Sequence, residues 1–156
     1  MSNNFISIDN RSFRKTIKDI ERMGMAVSNK QLRNLKTRHA DIILNPMRRN
    51  SKSSRIAAMI GVTTRSMHAD DSGIKIGVVK NSKELFPKIS AQGLAAIIEY
   101  GTAERYRKTK RSGLVTGRQS TGKITPEPFL RPAWDSKHRE YEQAVIDDLS
   151  NEVVNG

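Results

Sequence analysis

Residues 95–134 read AAIIEYGTAERYRKTKRSGLVTGRQSTGKITPEPFLRPAW, and the rest of the chain is organised around them. Both ends of this segment carry apolar motifs, whereas its middle, residues 105–123, holds seven basic residues and no acidic residue. The seven are Arg105, Arg107, Lys108, Lys110, Arg111, Arg118 and Lys123. Like charges this close repel one another, so the composition predicts an extended, mobile basic loop that projects over residues 104–125. We call residues 104–125 the basic arm.

The charge of the whole chain favours an anionic partner. Its 156 residues, enough for one domain, carry a formal net charge of +12. Residues 135–156 hold six acidic and two basic residues, a net of −4, so residues 1–134 carry +16. A field of this sign attracts DNA, RNA or an acidic protein face. The alternative is a basic protein without a charged partner.

The chain lacks the features of membrane and disulfide-stabilised proteins. It contains no cysteine, which excludes disulfides and thiolate sites. No window of 18 consecutive apolar residues occurs, and the first ten residues lack an apolar signal region. We therefore expect neither a membrane span nor a signal peptide.

Helices are predicted throughout residues 1–50. Apolar residues recur at helical spacing over residues 11–25, which predicts a first amphipathic helix. A second helix is expected to be capped by Ser28 or Asn29 and to be closed by Pro46 and the basic Met47-Arg48-Arg49. His39 falls on its apolar stripe and is interpreted as a half-buried helix residue, because no second His or Cys lies at metal-ligand spacing.

An antiparallel pair of strands is predicted next. Val62-Thr63-Thr64 is β-branched, Ile74–Val78 alternates with period two, and Asp70–Gly73 forms a turn between them. Residues 55–60 fit a short helix or the start of a strand. Residues 93–100 fit a buried helix or a strand, because periodicity does not separate the two in short apolar runs.

The C-terminal helix, over residues 131–150, has the clearest signals. Pro132 suits a first helical position with Arg131 extended before it, and Asp135 brings a negative charge to the positive helix end. Its apolar stripe is Trp134, Tyr141, Val145, Leu149 and Val153. The predicted fold is α+β, with N-terminal helices and a C-terminal helix packed on a small, mainly antiparallel sheet in one domain.

Motifs for catalysis are weak. Gly117–Lys123 spells the first seven positions of the phosphate-binding P-loop, but Ile124 stands where a hydroxyl should bind Mg²⁺, and prolines follow where a helix should begin. Asp70-Asp71 could hold Mg²⁺ but more often forms a turn. The three histidines, His39, His68 and His138, are isolated from one another. We expect no enzyme activity, no catalytic residue, no cofactor and no bound metal.

Two motifs resemble the paired signature of a known family. Ile98-Glu99-Tyr100-Gly101-Thr102, the first motif, precedes Pro128-Phe129-Leu130-Arg131-Pro132-Ala133, the second motif. Their wording and order are similar to those of tail-completion, or head-tail joining, proteins of long-tailed bacteriophages, which include the lambda-type minor tail protein Z. Ser53–Ile56 stands where that family has a Ser-rich segment but lacks its usual Gly, and Ile76-Gly77-Val78 lies near an expected strand. The link between the two motifs is unusually long and basic here.

The resemblance implies a structural virion protein of the phage tail or neck. Such a subunit would form a ring at the head-proximal end of the tail and join the tail to the head connector. Its expected partners are copies of itself, the head connector or neck, and tail tube or terminator proteins, with possible contact to packaged DNA and none to a membrane. It would be assembled in the host cytoplasm. The alternative is a non-catalytic DNA- or RNA-binding protein that uses the basic arm with Arg48, Arg49, Lys52 and Arg55.

Most motif residues are expected to have structural roles. Gly101 permits a turn with positive φ, and Glu99 can pair with Arg131 or accept backbone N–H groups. Phe129 and Trp134 can anchor the last helix on the sheet. The charge of Arg131 could instead reach a neighbouring subunit.

Overall fold

The computed structural model describes residues 5–63, 72–79, 91–111 and 114–155. In chain order its elements are β1 (Phe5–Ile8), α1 (Arg14–Arg22), α2 (Asn29–Arg38), α3 (Asp41–Asn50), α4 (Ser54–Ala57), β2 (Ile60–Thr63), β3 (Ile74–Val78), α5 (Ala91–Tyr100), β4 (Arg105–Arg111), β5 (Leu114–Gly122) and α6 (Leu130–Asn155). The helices and the two antiparallel sheets in these ranges confirm the predicted α+β class.

β3 is the central strand of a three-stranded antiparallel sheet in the order β1-β3-β2. Its residue Ile76 lies opposite Ile6 of β1 and opposite Val62 of β2. Ile74, Ile76 and Val78 are buried, as expected for alternate residues on the core face of a strand. The predicted β2–β3 pair is confirmed, and the predicted turn at Asp70-Asp71 lies outside the described residues.

β1 corrects the expectation that residues 1–50 are only helical. Its four residues are too few to give a reliable period-two pattern, so the sequence offers little local signal for a strand. The strand forms because its backbone pairs with β3, more than sixty positions along the chain, and because Ile8 enters the core.

The N-terminal helices differ from prediction in their boundaries. Ser28 caps α2 in a capping box: its Oγ accepts from Gln31 N at 3.2 Å, and the Gln31 side chain accepts from Ser28 N at 3.0 Å. The predicted second helix is in fact two, since the chain breaks between α2 and α3. α3 ends at Asn50, just after the basic residues expected to close it, but Pro46 does not end the helix: it lies inside α3, where it is buried beside Met47. Burial of these side chains offsets the helical hydrogen bond that a proline cannot donate.

The structure assigns the two segments for which the sequence fits either a helix or a strand. Residues 55–60 contain both alternatives, since α4 ends at Ala57 and β2 starts at Ile60. Residues 93–100 belong to a helix, α5, in which Ala95 and Glu99 are buried. None of the helices in the described ranges is long and apolar enough to cross a membrane.

α6 is the long helix that covers the core. It packs mainly on α3, and also contacts α2, α1 and β1. The predicted stripe is confirmed: Tyr141, Val145 and Leu149 are buried, and Trp134 and Val153 are partly buried. Tyr141 fixes the helix further, because its hydroxyl donates to the Lys36 carbonyl oxygen at 3.1 Å, and burial raises the pKa of this phenol.

Candidate interaction site

The first and second motifs meet at the start of α6. The Glu99 side chain is buried at the end of α5, and one carboxylate oxygen, Oε2, accepts from Phe129 N at 2.7 Å and from Leu130 N at 3.0 Å. The other, Oε1, accepts from Arg131 N at 3.2 Å. The first N–H groups of a helix lack partners within the helix, and a negative charge there also meets the positive helix end. Glu99 is therefore the N-terminal cap of α6, supplied from about thirty residues away.

This cap explains where α6 begins. The prediction that Arg131 stays extended before Pro132 is wrong, because α6 starts at Leu130 and includes both residues. Pro132 falls in the first turn, where its missing N–H costs nothing, while Glu99 satisfies the N–H groups that precede it. Glu99 was expected to pair with Arg131 or to accept backbone N–H groups, and in the structure it accepts backbone N–H groups.

Gly101 brings the ends of the basic arm together. Its φ is +69°, as predicted, and a Cβ atom there would lie 2.5 Å from the Ile124 carbonyl oxygen and 2.8 Å from the Pro126 ring. Beside it, Thr102 N donates to Ile124 O at 2.9 Å, and Ile124 N donates to the Thr102 Oγ1 at 3.0 Å. These bonds close the base of the arm between the two motifs.

The other motif residues divide into a buried and an exposed set. Phe129, Leu130 and Ala133 are buried and anchor α6, as expected for Phe129. Tyr100, Arg131, Pro128 and Pro132 are exposed. The Arg131 guanidinium lies 5.5 Å from the centroid of the Tyr100 ring, a cation–π contact that links the two motifs at the surface.

The basic arm is a β-hairpin, which corrects the predicted mobile loop. β4 and β5 pair antiparallel with Tyr106 opposite Ser120, Arg107 opposite Gln119 and Lys108 opposite Arg118. At the base, Ser120 Oγ donates to the Glu104 carboxylate at 2.7 Å, and Thr121 Oγ1 donates to Arg105 O at 3.1 Å. Strand pairing thus outweighs the repulsion between the basic side chains.

The hairpin presents positive charge on both of its faces. Because side chains alternate along a strand, Lys108 and its cross-strand neighbour Arg118 lie on one face, and Arg107 lies on the other. Arg105, Arg107, Lys108, Arg118 and Lys123 are all exposed. Within the described part of the chain, none of these five forms an ion pair. Lys110 and Arg111 belong to β4, but their side chains are outside the description.

The second set of basic residues is not a free patch. Arg48 donates to the Ile60 carbonyl oxygen at 3.1 Å, which ties α3 to β2. Lys52 pairs with Glu127 at 2.8 Å. Arg49 and Arg55 are exposed. Two of the four cations proposed for phosphate contacts therefore have roles inside the fold.

Two acidic residues of α6, Asp148 and Glu152, contact basic residues at the end of α2. Arg38 Nη1 lies 3.1 Å from both the Asp148 and the Glu152 carboxylates, and His39 Nε2 lies 2.7 Å from Asp148. The hydrogen bond from His39, followed by that from Arg38, lowers the pKa of Asp148. His39 is half-buried in this cluster, as predicted. The cluster fastens the end of α2 to α6.

The weak catalytic motifs gain no support from the described geometry. Gly117–Gly122 lies in β5, so its backbone is extended and paired instead of curled around a phosphate. No cluster of potential metal ligands occurs in residues 5–63, 72–79, 91–111 and 114–155. Asp70, Asp71 and His68 lie outside these ranges.

Comparison of the chain with protein-family models, with curated proteins and with solved structures finds no match in any of the three. The site also contains residues that sequence reasoning missed. Glu104 and Ser120 hold the base of the hairpin, and Gln119 lies beside Arg107 on its face. Only the strand register identifies these residues, because they follow no motif spacing.

Proposed function

We propose that this chain is a non-catalytic structural subunit of a bacteriophage tail or neck, which forms a ring that completes the tail and joins it to the head connector. The observation that carries the proposal is the contact between the two motifs. Glu99 of the first motif holds the backbone of Phe129, Leu130 and Arg131 in the second. A pair of motifs that build one junction has a physical reason to occur together, and this supports the resemblance to tail-completion proteins.

The position of the hairpin suits an assembly subunit. Its base is fixed by the bonds between Thr102 and Ile124 and by the cap at Glu99, whereas β4 and β5 pack on each other and carry exposed side chains. A two-stranded hairpin alone is only marginally stable in water. A partner that covers one face would stabilise it, as neighbouring subunits do in a ring. The head connector or neck and the tail tube or terminator proteins are the other partners in this proposal.

A shortened hairpin tests the proposal. Replacing Arg107–Gln119 with Asn-Gly leaves Tyr106 and Ser120 as the last strand pair around a two-residue turn, a loop that matches the twist of a hairpin. The bond between Glu104 and Ser120 remains. We expect the shortened chain to melt at the temperature of the intact chain by circular dichroism, because the removed residues whose side chains the structure describes lie outside the core.

Assembly is then measured by negative-stain electron microscopy and mass photometry. The intact chain should form rings of one copy number, and the shortened chain should remain dispersed. An intact chain that stays monomeric at every concentration and is not retained on isolated phage tails would contradict the proposed function. Rings of the same size from both chains would remove the hairpin from the mechanism.

The alternative, a free DNA- or RNA-binding protein, has less support from the structure. Arg48 and Lys52 of its second basic set are tied to Ile60 and Glu127, so fewer cations are available beyond the hairpin. It predicts a monomer that binds nucleic acid and forms no rings. The same two measurements therefore separate it from the structural role.

A further inference from the structure

We infer that the hairpin formed by β4 and β5 binds duplex DNA through the phosphate backbone, without sequence preference. The proposed function gives the hairpin a role in ring formation, and this inference adds a second partner for the same hairpin. It deepens that function in one respect: it names packaged DNA as the polyanion that the arm meets in the tail or neck, and to that extent it rests on the proposed function.

The arrangement of charge on the hairpin favours a polyanion as its partner. Lys108 and Arg118 are directly opposite each other on adjacent strands, and like charges in that position destabilise a strand pair. Both side chains are exposed, and the described chain provides neither with a carboxylate. Arg107 adds a cation on the opposite face. Phosphate groups on both sides of the hairpin would convert this repulsion into attraction.

An acidic face on a second copy of the chain is the less suitable partner. The net charge of −4 in residues 135–156 is concentrated in α6, and Arg38 of α2 offsets part of it. Asp148 and Glu152 contact Arg38, and Glu140 contacts Lys137. Docking the hairpin on these three carboxylates would compete with the existing pairs. Duplex DNA has no such cost, because it releases condensed counterions when cations bind it.

The shape of the hairpin fits a duplex better than a single strand. Two paired strands lie about 5 Å apart, and a two-stranded ribbon enters a major groove about 12 Å wide. Single-strand binding uses several aromatic side chains on which bases stack. Tyr106 is the aromatic residue in β4 and β5, and it is exposed on the face that also carries Lys108. Duplex RNA is a poorer fit because its major groove is deep and narrow.

The test compares two double variants of equal charge. Lys108→Gln with Arg118→Gln removes two cations from one face of the hairpin, and Arg14→Gln with Lys15→Gln removes two exposed cations from α1. Binding to a fluorescein-labelled random-sequence duplex is measured by anisotropy across a salt series. The logarithm of the binding constant falls with the logarithm of the salt concentration, and each phosphate contact contributes about 0.9 to the steepness of that fall. The slope of the hairpin variant should therefore be less steep by about 1.8.

The expected loss of affinity follows from the same slope. Between 1 M and 0.1 M salt each phosphate contact multiplies the binding constant by about 8, so at 0.1 M the hairpin variant should bind roughly 60-fold more weakly than the intact chain. The α1 variant should keep the slope of the intact chain. Arg107→Gln, on the other face, should lower the slope by about 0.9 and provides a second variant if the double variant misfolds by circular dichroism.

Four outcomes overturn the inference. The first is an equal loss of binding in the hairpin and α1 variants, and the second is a hairpin variant that keeps the full slope. The third is tighter binding of labelled single strands or duplex RNA than of duplex DNA. The fourth is polyglutamate of matched charge that competes as well as DNA. Ring formation by the same preparations separates the two ideas. Rings without duplex binding overturn the inference and leave the proposed function, whereas duplex binding without rings supports the hairpin site and contradicts the proposed function.

Discussion

Glu99 gives the sharpest test of the junction. In Glu99→Ala, the N–H groups of Phe129 and Leu130 lose their acceptor inside the protein, and an unsatisfied buried donor costs about 1–3 kcal/mol. With the lost favourable charge at the helix end, the free energy of unfolding should fall by about 3–5 kcal/mol. Glu99→Gln keeps one acceptor oxygen for the two shortest bonds but loses the contact with Arg131 N and the negative charge at the helix end, so it should cost about 1–2 kcal/mol.

Urea unfolding measures this directly. The single tryptophan, Trp134, lies in α6 and stacks on His138, so its fluorescence follows the capped helix. Glu127→Gln is the matched control: it removes an exposed carboxylate from the same segment, where the pair with Lys52 contributes about 0–1 kcal/mol. Among the variants, Glu127→Gln should be the most stable, Glu99→Gln less stable and Glu99→Ala the least stable. Any other order would refute the capping role. Melting temperature should follow, with a fall of about 10 °C in Glu99→Ala.

Two further predictions concern the base of the arm and the end of α6. Gly101→Ala should destabilise the fold by about 2 kcal/mol or more, because the positive φ is combined with a clash against Ile124 O. Gly24 has a φ of +80° but lies in open space, so Gly24→Ala should cost about 1 kcal/mol. Urea unfolding compares the two variants. Asp148→Asn removes a carboxylate whose pKa in the folded protein is lowered by His39, so it should reduce the melting temperature above about pH 5. That difference should shrink as the pH falls from the ordinary value of 3.8 through the lower folded value, and a difference that grows on acidification would contradict it.

The elements of the fold were predictable where periodicity extends over several turns. α1, α2 and α6 each bury one stripe, and the stripe through Tyr141 and Val145 was readable from spacing alone. β1 was not predictable, since its four residues are held by β3, from a distant part of the chain. The continuation of α3 through Pro46 was also not predictable. The rule that a proline ends a helix considers only neighbouring residues, whereas the burial that outweighs it depends on the whole fold.

The motif junction was predictable only as a set of alternatives. The sequence shows a carboxylate in the first motif and a helix start in the second, but the bond between them depends on how α5 and α6 meet in space. Glu99 could equally have paired with the Arg131 side chain, and the fold places that side chain on the Tyr100 ring instead. The positive φ of Gly101 was easier to predict, because glycine adopts that conformation without steric cost whether a helix or a strand precedes it.

The hairpin has the largest consequence, because the rule about charge repulsion gave the wrong conformation for the basic arm. A mobile loop must lose backbone freedom of about 1–2 kcal/mol per residue when it binds, whereas the pairing of β4 with β5 limits that freedom before binding. Binding by the hairpin should therefore be stronger than its charge alone predicts. A variant that keeps every cation but breaks the strand pairing, Thr109→Pro, should bind duplex DNA more weakly than the intact chain, with both measured by anisotropy at one salt concentration. Equal affinity would show that charge, without the hairpin, is sufficient.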